Sequence, residues 1–148
     1  NDIALDIFSV SPPPDQIFEK ERWDRAARQL SEALSGTFDL AAELEKQASP
    51  PKTHCFDTGR LPPRVVVDNH TSSFFTIFEV FTYNYTGLLF HIADVLYRFG
   101  LDIRVAKIAT KVDQVVDVFY VKDLFGQKLD APDDVEAVKT ELMAVLTR

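Results

Sequence analysis

An α+β fold built on an antiparallel sheet is what this sequence predicts, on three observations. Between residues 64 and 147, runs rich in branched and aromatic residues alternate with amphipathic stretches in the order strand, strand, helix, strand, strand, helix. The links within each strand pair are of hairpin length: "HTS" follows "RVVVDN", and "KVDQ" follows "LDIRVAKIAT". The segment "ALDIFSV" near the start also repeats as "VVDVFYV", so that Asp6 matches Asp117, and each copy leads through a loop into an amphipathic helix. The central β-α-β-β-α run of the second copy is most of a ferredoxin-like unit.

Taken in order, "IALDIFSV" (residues 3–10) reads as a strand closed by Pro12-Pro13-Pro14. A helix follows over about residues 19–35, with Trp23, Ala26, Ala27, Leu30, Ala33 and Leu34 on one side and Gly36 placed to stop it. "FDLAAELEKQ" adds a short helix. Residues 48–63 hold four prolines and a glycine and read as a linker. "RVVVDN" and "SFFTIFEVFTY" are the next strands. In the second, Phe74, Phe78 and Val80 fall on one side and Phe75, Ile77, Phe81 and Tyr83 on the other. A helix spans about residues 87–99, with Leu88, Leu89, Ile92, Ala93, Leu96 and Phe99 inward. "LDIRVAKIAT" and "QVVDVFYVKD" form the second strand pair. The last helix, about 132–147, starts at Pro132 and turns Val135, Val138, Leu142 and Val145 inward.

This divides the chain into residues 1–47, the end of a first module; 48–63, a linker; and 64–148, a fuller second module. The first copy lacks its own early strands, which predicts a piece of a longer protein. The "VVVD" strand has two possible owners. Paired with the strand containing Ile77, it stands in for the last strand of the second module (ββαββα); otherwise it closes the first (βαββαβ). Helices cover only one face of such a sheet, so the second apolar face predicts an assembly surface, a homodimer among the options.

Bulk properties exclude several functions. Hydrophobic residues make up 46% and charged residues 26% of the 148, the balance of a globular chain. The formal charge of −7 and the scattered basic residues argue against nucleic acid as a partner. No apolar run approaches the ~18 residues of a membrane span. A single cysteine, Cys55, cannot form an internal disulfide, so a reducing, cytoplasmic setting is expected.

The stretch from Arg64 to Leu129 closely resembles the C-terminal ACT-repeat region of the bifunctional PII-protein uridylyltransferase/uridylyl-removing enzymes. The matching residues are Asp68-Asn69, "TGLLF", "AKIAT", "DVFYV" and "DLFGQK". The earlier "ALDIFSV" to "LSEAL" resembles the tail of a preceding ACT copy. The resemblance implies a regulatory region that senses glutamine or another small amino acid. It implies control of two catalytic domains elsewhere in the parent, a nucleotidyltransferase and an HD-type hydrolase, and it carries no catalytic residue onto this chain. An interaction or dimerisation module without a ligand of its own is the alternative.

The ligand-binding residues implied are those of the strand–turn–helix corner: Asn84, Tyr85, Thr86, Gly87, Leu88 and Leu89. Where the family has Asp-Arg-Pro-Gly, this chain has Asn-Tyr-Thr-Gly. Asn84 keeps a short polar side chain but loses the charge that holds an α-ammonium group. Thr86 restores a backbone N–H, and its hydroxyl is a candidate helix cap. The first helical turn offers N–H groups to a carboxylate, and glycine lets a ligand approach the backbone.

Other constellations lead to structural readings. His91 and Asp94 lie three apart on a helix and lack the further ligands a metal needs. His54-Cys55 lacks a third orienting group. Asp6 and Asp117 interrupt apolar strands, with Lys107 or Arg104 as candidate partners on the adjacent strand. No cofactor is expected, and no nucleophile or metal constellation marks the chain as an enzyme.

Overall fold

The computed structural model describes residues 18–47, 61–111 and 114–147. The chain divides into two compact units, Asn1–Lys46 and Gln47–Arg148. The strand expected over residues 3–10, the linker residues 48–60, Asp6, His54 and Cys55 lie outside the described residues.

In the first unit, α1 (Glu19–Leu34) ends in a Schellman arrangement. Gly36 takes φ 74°, its N–H bonds the Ala33 carbonyl, and the Thr37 N–H bonds the Glu32 carbonyl. The helix α2 (Leu40–Gln47) is capped by Asp39, whose Oδ1 accepts from the Ala42 N–H at 3.0 Å. Neither helix has a buried residue. The apolar side expected for the first one is present in register, yet Leu30 and Leu34 are exposed.

The second unit holds β1 (Arg64–Asp68), β2 (Thr76–Tyr83), α3 (Leu88–Arg98), β3 (Leu101–Lys107), the two-residue β4 (Thr110–Lys111), β5 (Gln114–Asp123) and α4 (Pro132–Leu146). The sheet is antiparallel in the order β1-β2-β5-β3, and β4 continues the β3 edge against β5. This order is compatible with a ferredoxin-like sheet whose last strand is replaced by β1. Val66 faces Glu79 of β2, so of the two owners open to the "VVVD" strand, pairing selects the second unit.

Alternation along each strand separates the two faces. Val65, Phe78, Val80, Phe119 and Val121 point inward and meet Leu88, Ile92, Val95 and Leu96 of α3 and Val138, Leu142, Val145 and Leu146 of α4 in one core. In α3 the inward set includes Val95, while Leu89 and Phe99, expected inside, are exposed. The helix begins at Leu88 and ends at Arg98, one residue short at each end. That leaves Phe99 in the turn to β3, beyond the helical register.

The loop before β2 is longer than the three residues "HTS" suggest. Asp68 Oδ1 accepts from the N–H groups of His70 and Thr71, and Ser72 Oγ accepts from those of Phe74 and Phe75. These side-chain turns replace ladder bonds, so the strand starts at Thr76 and Phe74 is exposed rather than on the buried face. A second loop, after β5, grips the first. Lys128 Nζ donates to the carbonyls of Asn69 and Ser72, Asn69 Nδ2 donates to the Leu129 carbonyl at 2.8 Å, and the Leu129 N–H donates to Thr76 Oγ1 at 2.9 Å. Asp123 Oδ1 shapes this second loop by accepting from Phe125 and Gln127.

The outer face carries Val66, Ile77, Phe81, Val116, Val118 and Tyr120, with Val66 and Val116 exposed. Arg64 lies over Phe81, Lys107 over Tyr120 and Lys122 over Phe75, at 3.9, 5.0 and 5.2 Å from the ring centres. Cations thus shield part of the aromatic surface. No helix among the described residues is long and apolar enough to cross a membrane.

Candidate functional site

Where β2 gives way to α3, the chain must reverse within four residues. Tyr85 and Leu88 close a turn through the Leu88 N–H and the Tyr85 carbonyl at 3.2 Å, and Gly87 sits at φ 88°, ψ 1°. These are the angles of the third residue of a type II turn, a position glycine takes without steric cost. The helix then starts with the His91 N–H on the Gly87 carbonyl at 3.0 Å. Gly87 is therefore the N-cap itself, and no side chain caps the helix, so the Thr86 hydroxyl does not serve as its cap. With Leu88 bonded to Tyr85, the N–H groups of Leu89 and Phe90 are the first-turn donors left without an intrahelical partner.

A cleft of about 240 Å³ opens at this corner, lined by Asn84, Tyr85, Gly87, Leu88, Leu89, Phe90, Ile108, Val115 and Asp117. Five of the six residues singled out in the sequence thus meet on one concavity, and Thr86 is exposed away from it. Their parts differ. Leu88 is buried in the core, and Tyr85 is tied down through its hydroxyl, which donates to the Val145 carbonyl of α4 at 3.2 Å. Asn84 and Leu89 are exposed beside the opening.

The far wall comes from the sheet edge and was not assembled by sequence reasoning. The edge strand is irregular twice. A bulge falls at Arg104, between Ile103 and Val105, and pairing is incomplete at Ile108 and Ala109 before β4, although the Ala109 carbonyl still accepts from the Val116 N–H at 2.9 Å and the register is kept. The Ala109 N–H turns instead to the side chain of Asp117, donating to Oδ1 at 3.2 Å. Asp117 stands opposite Val80 on the inner face and is only 2% exposed. Burial pushes its carboxyl above the ordinary value of 3.8, and the Ala109 N–H pulls in the other direction.

The cations expected beside Asp117 are engaged elsewhere. Arg104, in the bulge, pairs with Asp102 at 2.7 Å, and Lys107 faces Val118 and donates to the Tyr120 hydroxyl. The bulge shifts the register by one, which sets Lys107 opposite Val118 on the outer face rather than opposite Asp117. The acid's misfit in an apolar strand was the visible signal. Its proximity to the corner was not, because it depends on the register in which β5 pairs with β2.

The remaining candidates have plain roles. Asp94 pairs with Arg98 at 3.0 Å on the surface of α3, and His91 stands beside the rings of Tyr85 and Phe90. Asp133 and Asp134 occupy the first turn of α4, where the dipole favours acids. Asp68, with its two backbone donors, is held down to about 2, chiefly by hydrogen bonds from Thr71 and His70.

Relatives were found along almost the whole chain. It is 33% identical over 148 residues to the bifunctional uridylyltransferase/uridylyl-removing enzyme of Rhodospirillum rubrum, covering 98% of this chain and 16% of that protein. The proteins of the same name from Azospirillum brasilense and Gluconobacter oxydans are 32% and 34% identical over 99% and 98% of the chain. The chain therefore spans about 16% of the length of the relatives it matches. No family model matches it, and no solved structure does.

Proposed function

Starting from this homology to a part of the bifunctional uridylyltransferase/uridylyl-removing enzymes, we propose that the chain is an ACT-type regulatory region that senses a small amino acid, with glutamine first among candidates. In this reading the bound amino acid biases the uridylyl-transferring and uridylyl-removing activities of a longer protein, and the region itself performs no chemistry. The observation that carries the proposal is the cleft at the Gly87 corner, which gathers Asn84, Tyr85, Gly87, Leu88 and Leu89. Its volume falls below the ~300–1,000 Å³ of pockets that enclose drug-sized molecules, which favours an amino acid over a nucleotide. The amino acid's carboxylate belongs at the N-terminus of α3, where N–H donors and the helix dipole coincide.

Calorimetry with L-glutamine tests this reading. Saturable binding is expected, and Gly87→Asp should abolish it by placing a side chain and a negative charge at the carboxylate's position. Absence of heat and of any thermal shift at millimolar glutamine counts against the proposal.

A second reading, an interaction module, is favoured by the outer sheet face with its exposed Val66 and Val116. It requires a partner surface, either a second copy or the catalytic domains of the longer protein. A monodisperse monomer by light scattering that also ignores those catalytic domains is the outcome that removes it.

A further inference from the structure

We propose that Asp117 is the acceptor for the ligand's α-ammonium group in the corner cleft, taking over the charge that Asn84 lacks. This deepens the amino-acid reading and rests on it. Three features of the site point the same way.

The first is placement. Asp117 lines the cleft although it is 98% buried. The second is complementarity. The N–H groups of Leu89 and Phe90 begin α3 on one wall, and a carboxylate stands on another. An α-amino acid presents the matching pair, an acceptor carboxylate and a donor ammonium on neighbouring atoms. The third is charge balance. No lysine, arginine or histidine lines the cleft, while Arg98, Arg104 and Lys107 have partners elsewhere. The one hydrogen bond given to Asp117 comes from the neutral Ala109 N–H, so a charged donor entering the cleft would be the first cation beside this carboxylate.

Other ligand classes fit less well. A phosphate or nucleotide would bring negative charge against Asp117. A divalent cation needs several oxygen ligands, and this cleft offers one carboxylate and one amide. A structural role for Asp117, holding the edge strand through Ala109, is already visible. It uses Oδ1 and is compatible with an ammonium at the other oxygen.

The test compares two ligands on two proteins by calorimetry. L-glutamine and glutaramic acid share a carboxylate and a terminal amide, and only glutamine has the α-ammonium. The wild-type chain should bind glutamine at least tenfold more tightly than glutaramic acid. In Asp117→Asn this ratio should fall to about one, with a thermal midpoint equal to or above that of the wild type. A merely structural role moves both affinities together and leaves the ratio intact, so a preserved ratio overturns the proposal while amino-acid sensing stands. Equal binding of both ligands by the wild type overturns it without any variant. Failure of the wild type to bind L-glutamine or any other common L-amino acid overturns the sensing reading and this proposal together.

Discussion

At Gly87 a single residue decides the geometry of the corner. Its φ of 88° lies in the left-handed region, where a Cβ costs about 1–2 kcal/mol. Gly87→Ala should therefore destabilise the second unit by that amount in urea titration, separately from any effect on ligand binding. Two acids make opposite contributions to the pH dependence of stability. Asp68 is held down to about 2 by its turn bonds, so the stability it contributes is present above 3.8 and disappears as pH falls towards 2. Asp117 is raised by burial, so the folded state prefers it protonated. Its penalty is absent below 3.8, grows as pH rises through the folded value, and is constant above it. Asp117→Asn keeps an acceptor for the Ala109 N–H and cannot ionise. Its thermal midpoint should rise relative to the wild type as pH climbs from 3 towards 7. A constant difference across that range overturns this assignment.

Among the elements, the contact between the two loops shows what two of the motifs behind the resemblance accomplish in this fold. Asp68-Asn69 and the "DLFGQK" segment lie far apart in sequence and meet at one staple through Asn69, Thr76, Lys128 and Leu129. Their roles are structural. Thr76 is fully buried and accepts the Leu129 N–H, so Thr76→Val should leave that donor unpaired in a nearly unchanged shape. A loss of about 1–3 kcal/mol is expected in chemical denaturation. Helix α4 supplies a comparison: Leu142→Ala empties a core position that is fully buried and should cost about 2–5 kcal/mol. The elements themselves were largely legible. Pro132 opens α4, Gly36 follows α1, and "QVVDVFYVKD" forms β5 over its whole length. The start of β2 was not legible, because Phe74 and Phe75 have high strand propensity while Ser72 and Asp68 divert the backbone into turns.

For the molecule as a whole, the outer sheet face is the feature with the widest consequences. Val66 and Val116 project from neighbouring parts of it among aromatic rings already covered by Arg64, Lys107 and Lys122. If the face is an assembly surface, the chain should sediment as a dimer. The double substitution Val66→Lys, Val116→Lys should then return it to a monomer with unchanged circular dichroism and a lower thermal midpoint, since neither side chain is in the core and the stabilisation from association is lost. A wild-type monomer at high concentration removes self-association and leaves only a different partner for this face.

The sequence by itself determined the α+β class, the order of elements from residue 64 onward, much of the buried side of the two helices and the corner at Gly87. All of these rest on local signals: alternation, helical spacing, proline and glycine. The similarity to the bifunctional uridylyltransferase/uridylyl-removing enzymes was legible there too, since it is carried by the order of residues. Only the tertiary structure decided that β1 pairs with β2, that the two distant loops are stapled, and that Asp117 stands in the wall of the Gly87 cleft. Strand pairing and edge irregularities are set by contacts between distant segments. A one-residue bulge at Arg104 turns Lys107 away from Asp117, and incomplete pairing at Ala109 gives its N–H to that carboxylate; no local pattern announces either.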